Sequence, residues 1–214
     1  MRRLLFSLIA AAVVAIAGAA AAQPAPPERA VATFAGGCFW CVESDFDHVP
    51  GVLETISGYT GGKVANPTYS QVSAGGTGHA ESVEVVYDPR KVSFAQLLDY
   101  FWHHVDPTVK DQQFCDHGNQ YRTAIFVHND EERKLAEASK KKVEAELKKP
   151  IYTEIVQAGP FYKAEDYHQD FYLKNPTKYK FYRWNCGRDQ RLEQIGAGRL
   201  RLHFLEALVL PAPE

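Results

Sequence analysis

Short apolar runs that alternate with segments of helical periodicity constrain the fold of this chain more than any other feature of its sequence. Strands are predicted where apolar or alternating residues are bounded by turn residues, at 31–35, 52–59, 82–87, 121–128 and 151–156. Helices are predicted where apolar side chains recur every three or four residues, at 38–48, 93–104, 130–149 and 163–173. The segments 60–78, which is rich in glycine, and 106–119 are predicted to be loops. The order β-α-β-β-α-β-α-β predicts an α+β fold, a ferredoxin-like two-layer sandwich with a mixed sheet and added helices.

The first 22 residues have the composition of a cleavable export signal. Arg2 and Arg3 precede an apolar run that ends in small residues at Ala22, and a proline-rich linker follows at 23–29. A membrane anchor is the alternative, because the apolar run is almost long enough to cross a bilayer. The small residues and the abrupt change at Gln23 favour cleavage near Ala22. We therefore expect a periplasmic or secreted protein, in a compartment that permits disulfides.

The rest of the chain has the size and charge of one globular domain. About 190 residues remain after the signal, which is enough for one buried core and few for two. The formal net charge is −2 and the sequence has no basic stripe, which argues against nucleic acid as a partner. We expect one domain at 30–190, a C-terminal tail of unknown role at 191–214, and a monomer.

Cys38 is the strongest candidate for a reactive group. It follows Gly36 and Gly37, where a predicted strand turns sharply into a predicted helix. The free N–H groups and the positive end of the helix dipole stabilise a thiolate at such a position, which makes the cysteine a nucleophile. The alternative is a buried cysteine that only fills space, and the two glycines make that interpretation less favoured.

Three further cysteines bear on redox chemistry. Cys41 completes a C-x-x-C pattern with Cys38 at the start of the helix, which is the geometry of dithiol redox sites. An inert second cysteine on the helix is an equal alternative. Cys115 and Cys186 are single, whereas a zinc site needs a second pair of ligands at short spacing, so we expect no metal site.

Glu81, Tyr69 and Tyr121 supply candidate proton donors. Glu81 has the strand parity of Val83 and Val85, so its carboxyl should face the buried side. A carboxyl on an apolar face has a raised pKa and suits a general acid; a strand-end residue that reaches solvent is the alternative. Tyr69 in the glycine-rich loop and Tyr121 at the start of the fourth strand offer phenol hydroxyls that can bond a small oxygen.

Six short blocks along the chain resemble the motifs of the A-type peptide methionine sulfoxide reductases. In order they are 37–41 (GCFWC), 58–62 (GYTGG), 66–69 (NPTY), 78–81 (GHAE), 116–122 (DHGNQYR) and 164–169 (AEDYHQ). They cover roughly residues 30–190 and occur in the order of that family. Because several separate motifs coincide, the resemblance is far more specific than one C-x-x-C, and it implies that 30–190 is a catalytic reductase domain.

The resemblance implies a thiol-dependent reduction of methionine S-sulfoxide, free or in proteins, which repairs oxidised proteins. Cys38 would attack the sulfoxide sulfur, and Glu81 would protonate the oxygen. Tyr69 and Tyr121 would hold that oxygen, while Asp116 supports the polar side of the pocket. The family needs no bound cofactor, and an external dithiol protein of thioredoxin type would restore the thiols.

The resemblance also assigns the substrate pocket and a second thiol. Phe39 and Trp40 would enclose the methyl group of the substrate. The sulfenic acid formed on the nucleophile would condense with a resolving thiol to an intramolecular disulfide. Cys41 and Cys186 are both candidates for that thiol, and Cys115 is a weaker third. Many members of the family have glycine in place of Cys41 and carry resolving cysteines in a C-terminal tail, so the resolving order stays open.

A thioredoxin-like disulfide oxidoreductase that uses Cys38 and Cys41 is the competing interpretation. It explains export and the C-x-x-C pattern, but it leaves Glu81, Tyr69 and Tyr121 without a role. A metal-binding or peptide-binding module is the non-enzymatic alternative. Met1 is the only methionine, so the exported chain would have no methionine of its own to lose to oxidation.

Overall fold

The computed structural model describes residues 28–196. The strands are β1 Ala30–Gly36, β2 Val52–Thr60, β3 Ala80–Tyr87, β4 Gln112–Gln113, β5 Asp116–His117, β6 Thr123–Val127, β7 Glu154–Gln157 and β8 Tyr162–Lys163. The helices are α1 Phe39–Asp47, α2 Tyr69–Ser73, α3 Phe94–His103, α4 Asp130–Leu147, α5 Phe171–Lys174, α6 Pro176–Asn185 and α7 Arg188–Gln194, with a 3-10 turn at Asn119–Tyr121. The signal at 1–22, most of the linker at 23–29 and the end of the chain at 197–214 lie outside the described residues, so export and cleavage near Ala22 stay predictions.

Six of the strands form one mixed sheet in the order β7-β6-β1-β3-β2-β8. All neighbours pair antiparallel except β6 and β7, which are parallel. The predicted α+β class with a mixed sheet is confirmed, whereas the ferredoxin-like designation stays a prediction. Because β1 lies between β3 and β6, its carboxyl end opens in the middle of the sheet, where Cys38 follows.

The main core lies between the sheet and helices α1 and α3. Phe34 of the central strand is fully buried and stacks on Phe46 of α1 and Phe101 of α3, with ring centroids 5.0 and 5.1 Å apart. Helix α3 begins where predicted, because Ser93 and Gln96 form a reciprocal capping box. The core therefore packs α1 and α3 against the central strand β1.

Two predicted elements differ around the site residues. The segment 60–78 contains the short helix α2, because Thr68 and Gln71 form a capping box among the glycines. Tyr121 lies in the 3-10 turn rather than in the fourth strand, where its N–H donates to the carbonyl of Gly118 at 2.9 Å. A local capping box outweighs the glycine-rich composition at 60–78, and a turn bond outweighs the strand pattern at Tyr121.

The C-terminal third of the chain differs more from the elements predicted from the sequence. The helix predicted at 163–173 is wrong for most of its length: Tyr162 and Lys163 pair with β2, and only the four-residue α5 is helical. Helices α6 and α7 were not predicted, and α7 crosses the boundary expected at residue 191 between domain and tail. Within residues 28–196, none of the helices combines the length and apolar character needed to cross a bilayer.

Candidate active site

Cys38 lies at the junction between the central strand and the first helix. It is the N-cap residue of α1, and its carbonyl accepts hydrogen bonds from the N–H groups of Cys41 and Val42 at 3.1 and 3.3 Å. Gly37 before it has a φ of +84°, and a Cβ at that position would lie 2.5 Å from Cβ of Gln113. Both the turn and the close approach favour glycine there. The Cys38 residue is only 7% exposed.

Glu81 lies beside this junction because β3 begins where its antiparallel neighbour β1 ends. The residue is 2% exposed, and its Oε2 accepts a hydrogen bond from the N–H of Phe39 at 3.0 Å. Burial raises the pKa of Glu81 to about 8; the Phe39 hydrogen bond opposes this shift, and Asp116 and Cys41 add to it. The carboxyl therefore holds a proton at neutral pH. Its burial agrees with the side of the sheet that the alternation along β3 predicted.

One cavity brings the predicted site residues together. Its lining is made by Cys38, Phe39, Trp40, Tyr69, Glu81, Asp116, Tyr121 and Tyr182. Every residue predicted as catalytic or substrate-binding is in this set, and Tyr182 is the addition. The lining comes from the β1–α1 junction, the start of β3, α2, β5, the 3-10 turn and α6.

Trp40 and Phe39 form the apolar wall of the cavity. The Trp40 ring stacks on Phe171 with centroids 3.7 Å apart, and its Nε1 donates to Nδ1 of His168 at 3.0 Å. Phe39 also contacts His168, with ring centroids 4.9 Å apart. These contacts hold both aromatic rings in one position, as a pocket for a methyl group requires.

Tyr69 and Tyr121 form the polar wall with Asp116. Burial raises the pKa of Tyr69 to about 12 and raises that of Tyr121 as well, and Glu81 adds to both shifts. Their hydroxyls therefore stay protonated and can donate hydrogen bonds to an oxygen. Burial also raises the pKa of Asp116. Glu165 positions Tyr69, whose backbone N–H donates to its Oε1 at 2.9 Å.

The two cysteines of the C-x-x-C pattern are free thiols that share a hydrogen bond. Burial raises the pKa of Cys38 well above its usual value, and Cys41 and Glu81 add to the shift. The hydrogen bond from Cys38 lowers the pKa of Cys41, and the charge of Arg188 lowers it further against the effect of burial. Burial therefore opposes the expected Cys38 thiolate. In addition, the Phe39 N–H at the helix start bonds Glu81 instead.

Tyr182 is the cavity residue that sequence reasoning missed. Its hydroxyl donates to Oδ2 of Asp116 at 2.5 Å, and its side chain lines the cavity together with Cys38. Its ring meets Trp40 edge-on, with centroids 5.8 Å apart. None of the six sequence blocks contains it, and only the packing of α6 against the β4–β5 turn brings it here. No signal in the sequence pointed to it.

The other two cysteines form a disulfide. Cys115 and Cys186 are joined across 71 residues, with their Cα atoms 4.8 Å apart. In this state Cys186 is not a free thiol, whereas Cys41 is free and contacts Cys38. Of the candidate resolving thiols, the structure therefore brings only Cys41 to the nucleophile in reduced form.

Comparison with known proteins gives matches over this same part of the chain. A family model described as "Peptide methionine sulfoxide reductase" matches residues 30–199. The peptide methionine sulfoxide reductase MsrA of Bacillus licheniformis is 52% identical over 169 residues, which are 78% of this chain and 93% of that protein. The MsrA 2 protein of Rhizobium meliloti is 53% identical over 178 residues, 83% of this chain and 88% of that protein.

Solved structures match as well. Mxr1 from Saccharomyces cerevisiae in reduced form superposes with a TM-score of 0.66 at 31% identity, over 72% of this chain and 90% of that chain. Methionine sulfoxide reductase A of Corynebacterium diphtheriae superposes with a TM-score of 0.64 at 37% identity, over 72% of this chain and 77% of that chain. The likeness thus extends over most of the domain that carries the cavity.

Proposed function

This chain belongs to the peptide methionine sulfoxide reductase family, and we propose that it reduces methionine S-sulfoxide, free or in proteins, to methionine. The observation that carries the proposal is the Glu81 carboxyl, which is buried in one cavity with the Cys38 thiol and whose pKa burial raises to about 8. Reduction of a sulfoxide needs a nucleophile at the sulfur and a proton for the oxygen that leaves it. The activity would repair oxidised proteins.

The first step uses Cys38 and Glu81 together. The Cys38 sulfur attacks the sulfoxide sulfur and releases its thiol proton to solvent. Glu81 donates its proton to the sulfoxide oxygen, which the Tyr69 and Tyr121 hydroxyls hold. The hydroxyl then moves from the substrate sulfur to the Cys38 sulfur as the bond between the two sulfurs breaks, so methionine leaves and Cys38 becomes a sulfenic acid.

The second step uses Cys41. Its sulfur attacks the sulfur of the Cys38 sulfenic acid, a disulfide forms between the two, and the hydroxyl leaves as water with one proton. The two sulfurs already contact each other one helical turn apart, so no large movement is needed. An external dithiol protein of thioredoxin type would then return both cysteines to thiols, and the protein itself needs no bound cofactor.

The test of the function is a single turnover of the reduced protein with the two epimers of methionine sulfoxide. We expect methionine from the S epimer only, with two thiols lost per methionine formed. The product would be measured by chromatography and the thiols by titration before and after the reaction. Absence of methionine from either epimer, with a folded and reduced protein, would show that the proposal is wrong.

A Cys41→Ser variant separates this function from thiol–disulfide exchange. The variant is expected to form one methionine per chain at a rate within about threefold of the wild type, because the chemical step uses Cys38. It should then stop with a sulfenic acid on Cys38, which dimedone labels and mass spectrometry detects. Turnover with a dithiol protein should fall by at least about tenfold. A variant that forms no methionine but still exchanges disulfides would instead favour the thioredoxin-like oxidoreductase.

A further inference from the structure

The Cys115–Cys186 disulfide joins two elements that meet at the cavity wall. Cys115 lies in the turn between β4 and β5, and Asp116 is the next residue. Cys186 is the C-cap of α6, one helical turn after Tyr182. The Asp116 carboxylate and the two bonded sulfurs all lie within 4.8 Å of one another. The disulfide therefore sits directly behind the residues that close the polar side of the cavity.

The two elements that the disulfide links bring Tyr182 into the cavity of the nucleophile. The Tyr182 hydroxyl donates to Oδ2 of Asp116 at 2.5 Å, and both side chains line the cavity that contains Cys38. Asp116 comes from the turn that carries Cys115, and Tyr182 comes from the helix that ends at Cys186. The contact that closes the cavity is thus made by the two elements that the disulfide links.

Buried contacts of Arg188 also hold the linked elements in place, independently of the disulfide. Arg188, two residues after Cys186, is 2% exposed, and its guanidinium donates to the carbonyls of Gly36 at 3.2 Å and His104 at 2.7 Å. The same group lies 4.5 Å from the ring centroid of Phe114, the residue before Cys115. Elements held by buried contacts of this kind are built to stay together.

We propose that the Cys115–Cys186 disulfide stays closed throughout turnover and acts as a clamp that holds the Tyr182 hydroxyl on Asp116, in the wall of the cavity that contains Cys38. Cys115 and Cys186 are then positioning residues, and the redox cycle belongs to Cys38 and Cys41 alone. The alternative is a relay, in which reduced Cys115 and Cys186 pass two electrons to a Cys38–Cys41 disulfide. Tyr182 and Asp116 lie between the two pairs, which is why the clamp is favoured over the relay.

The first experiment counts methionine in two redox states of the wild type, and it rests on the proposed function. Protein with the clamp closed and protein with all four cysteines reduced are each mixed with excess S-sulfoxide without reductant. The clamp predicts one methionine per chain in both states, with Cys115 and Cys186 still thiols at the end of the second reaction. Two methionines per fully reduced chain would overturn the clamp and assign the pair as a relay.

The second experiment is a double-mutant cycle that combines removal of the disulfide with removal of the Tyr182 hydroxyl. A Cys115→Ala/Cys186→Ala variant and a Tyr182→Phe variant are each expected to slow single-turnover methionine formation about tenfold, the effect of one hydrogen bond. Because Tyr182 lowers the pKa of Cys38, the pH midpoint for alkylation of Cys38, located by mass spectrometry, should rise in both. With Tyr182→Phe present, removal of the disulfide should change neither value by more than about twofold.

Additive effects in that cycle would overturn the clamp, because a merely stabilising disulfide acts independently of the Tyr182 hydroxyl. The alkylation measurement needs no substrate, so it tests the clamp even if the proposed function fails. Should the cysteine double variant not fold, the closed and fully reduced wild type provide the same comparison in one chain. An alkylation midpoint for Cys38 that is equal in those two states would likewise contradict the proposal.

Discussion

Replacing Cys38 with serine is expected to abolish the formation of methionine from its S-sulfoxide. A serine hydroxyl is a poor nucleophile toward sulfur and cannot form a sulfenic acid, so the rate should fall by at least about 10⁴-fold. The substitution removes no hydrogen bond that orders α1, because the Cys38 contribution to the helix is its backbone carbonyl. Single-turnover methionine formation by chromatography measures the effect, with circular dichroism to establish that the variant is folded.

Cys41→Ser is the matched control, since it replaces the neighbouring thiol of the same pair with the same residue. It keeps the nucleophile and should still yield one methionine per chain. If Cys38→Ser retained methionine formation while Cys41→Ser lost it, the nucleophile would be Cys41. The lowered pKa of Cys41 makes this comparison necessary.

Glu81→Gln is expected to have the second largest effect. Glutamine keeps the shape and can accept the Phe39 hydrogen bond, but it has no proton to give to the leaving oxygen. Loss of a general acid should lower the single-turnover rate by about 10²- to 10⁴-fold. In the wild type the rate should fall as pH rises through about 8, where Glu81 loses its proton, and this limb should be absent in the variant. Rate–pH profiles of both proteins provide the measurement.

The same pKa shift predicts the effect of Glu81→Gln on stability. The carboxyl has its ordinary value of 4.5 in the unfolded chain and about 8 in the fold. Between these values the unfolded chain releases a proton that the fold retains, so Glu81 increasingly destabilises the fold as pH rises from about 4.5 to about 8. Glutamine avoids this cost, and the variant should melt at pH 8 no lower than the wild type. A loss of activity with a lower melting temperature would point to a damaged fold instead.

Glu84→Gln provides the matched control on the same strand. Glu84 is three residues further along β3, so its side chain faces the other side of the sheet, and it does not line the cavity. Burial raises its pKa too, so the substitution tests removal of another partly buried carboxyl. Its single-turnover rate should stay within about twofold of the wild type.

The sequence was informative where the structure depends on neighbours along the chain. Gly36 and Gly37 before Cys38 predicted the sharp strand-to-helix turn, because the backbone there needs a positive φ and a close approach. The two-residue period of β3 predicted that Glu81 faces the interior. The residues of six separated blocks predicted the family, which the comparisons confirm. The ferredoxin-like designation, the monomeric state and export stay predictions.

By itself, then, the sequence determined the nucleophile junction, the buried face of β3, the α+β class and the family, because each depends on local periodicity or a short motif. Only the tertiary structure decided that Tyr182 meets Asp116, 66 residues away, and that Cys186 pairs with Cys115. It also decided that Tyr162 and Lys163 form an edge strand instead of a helix. These features depend on which distant surfaces pack together, and a buried side chain such as Arg188 sets that packing through bonds that carry no periodic signal. The pKa of Cys38 follows the same rule, since desolvation by the whole fold is the largest cause of its rise.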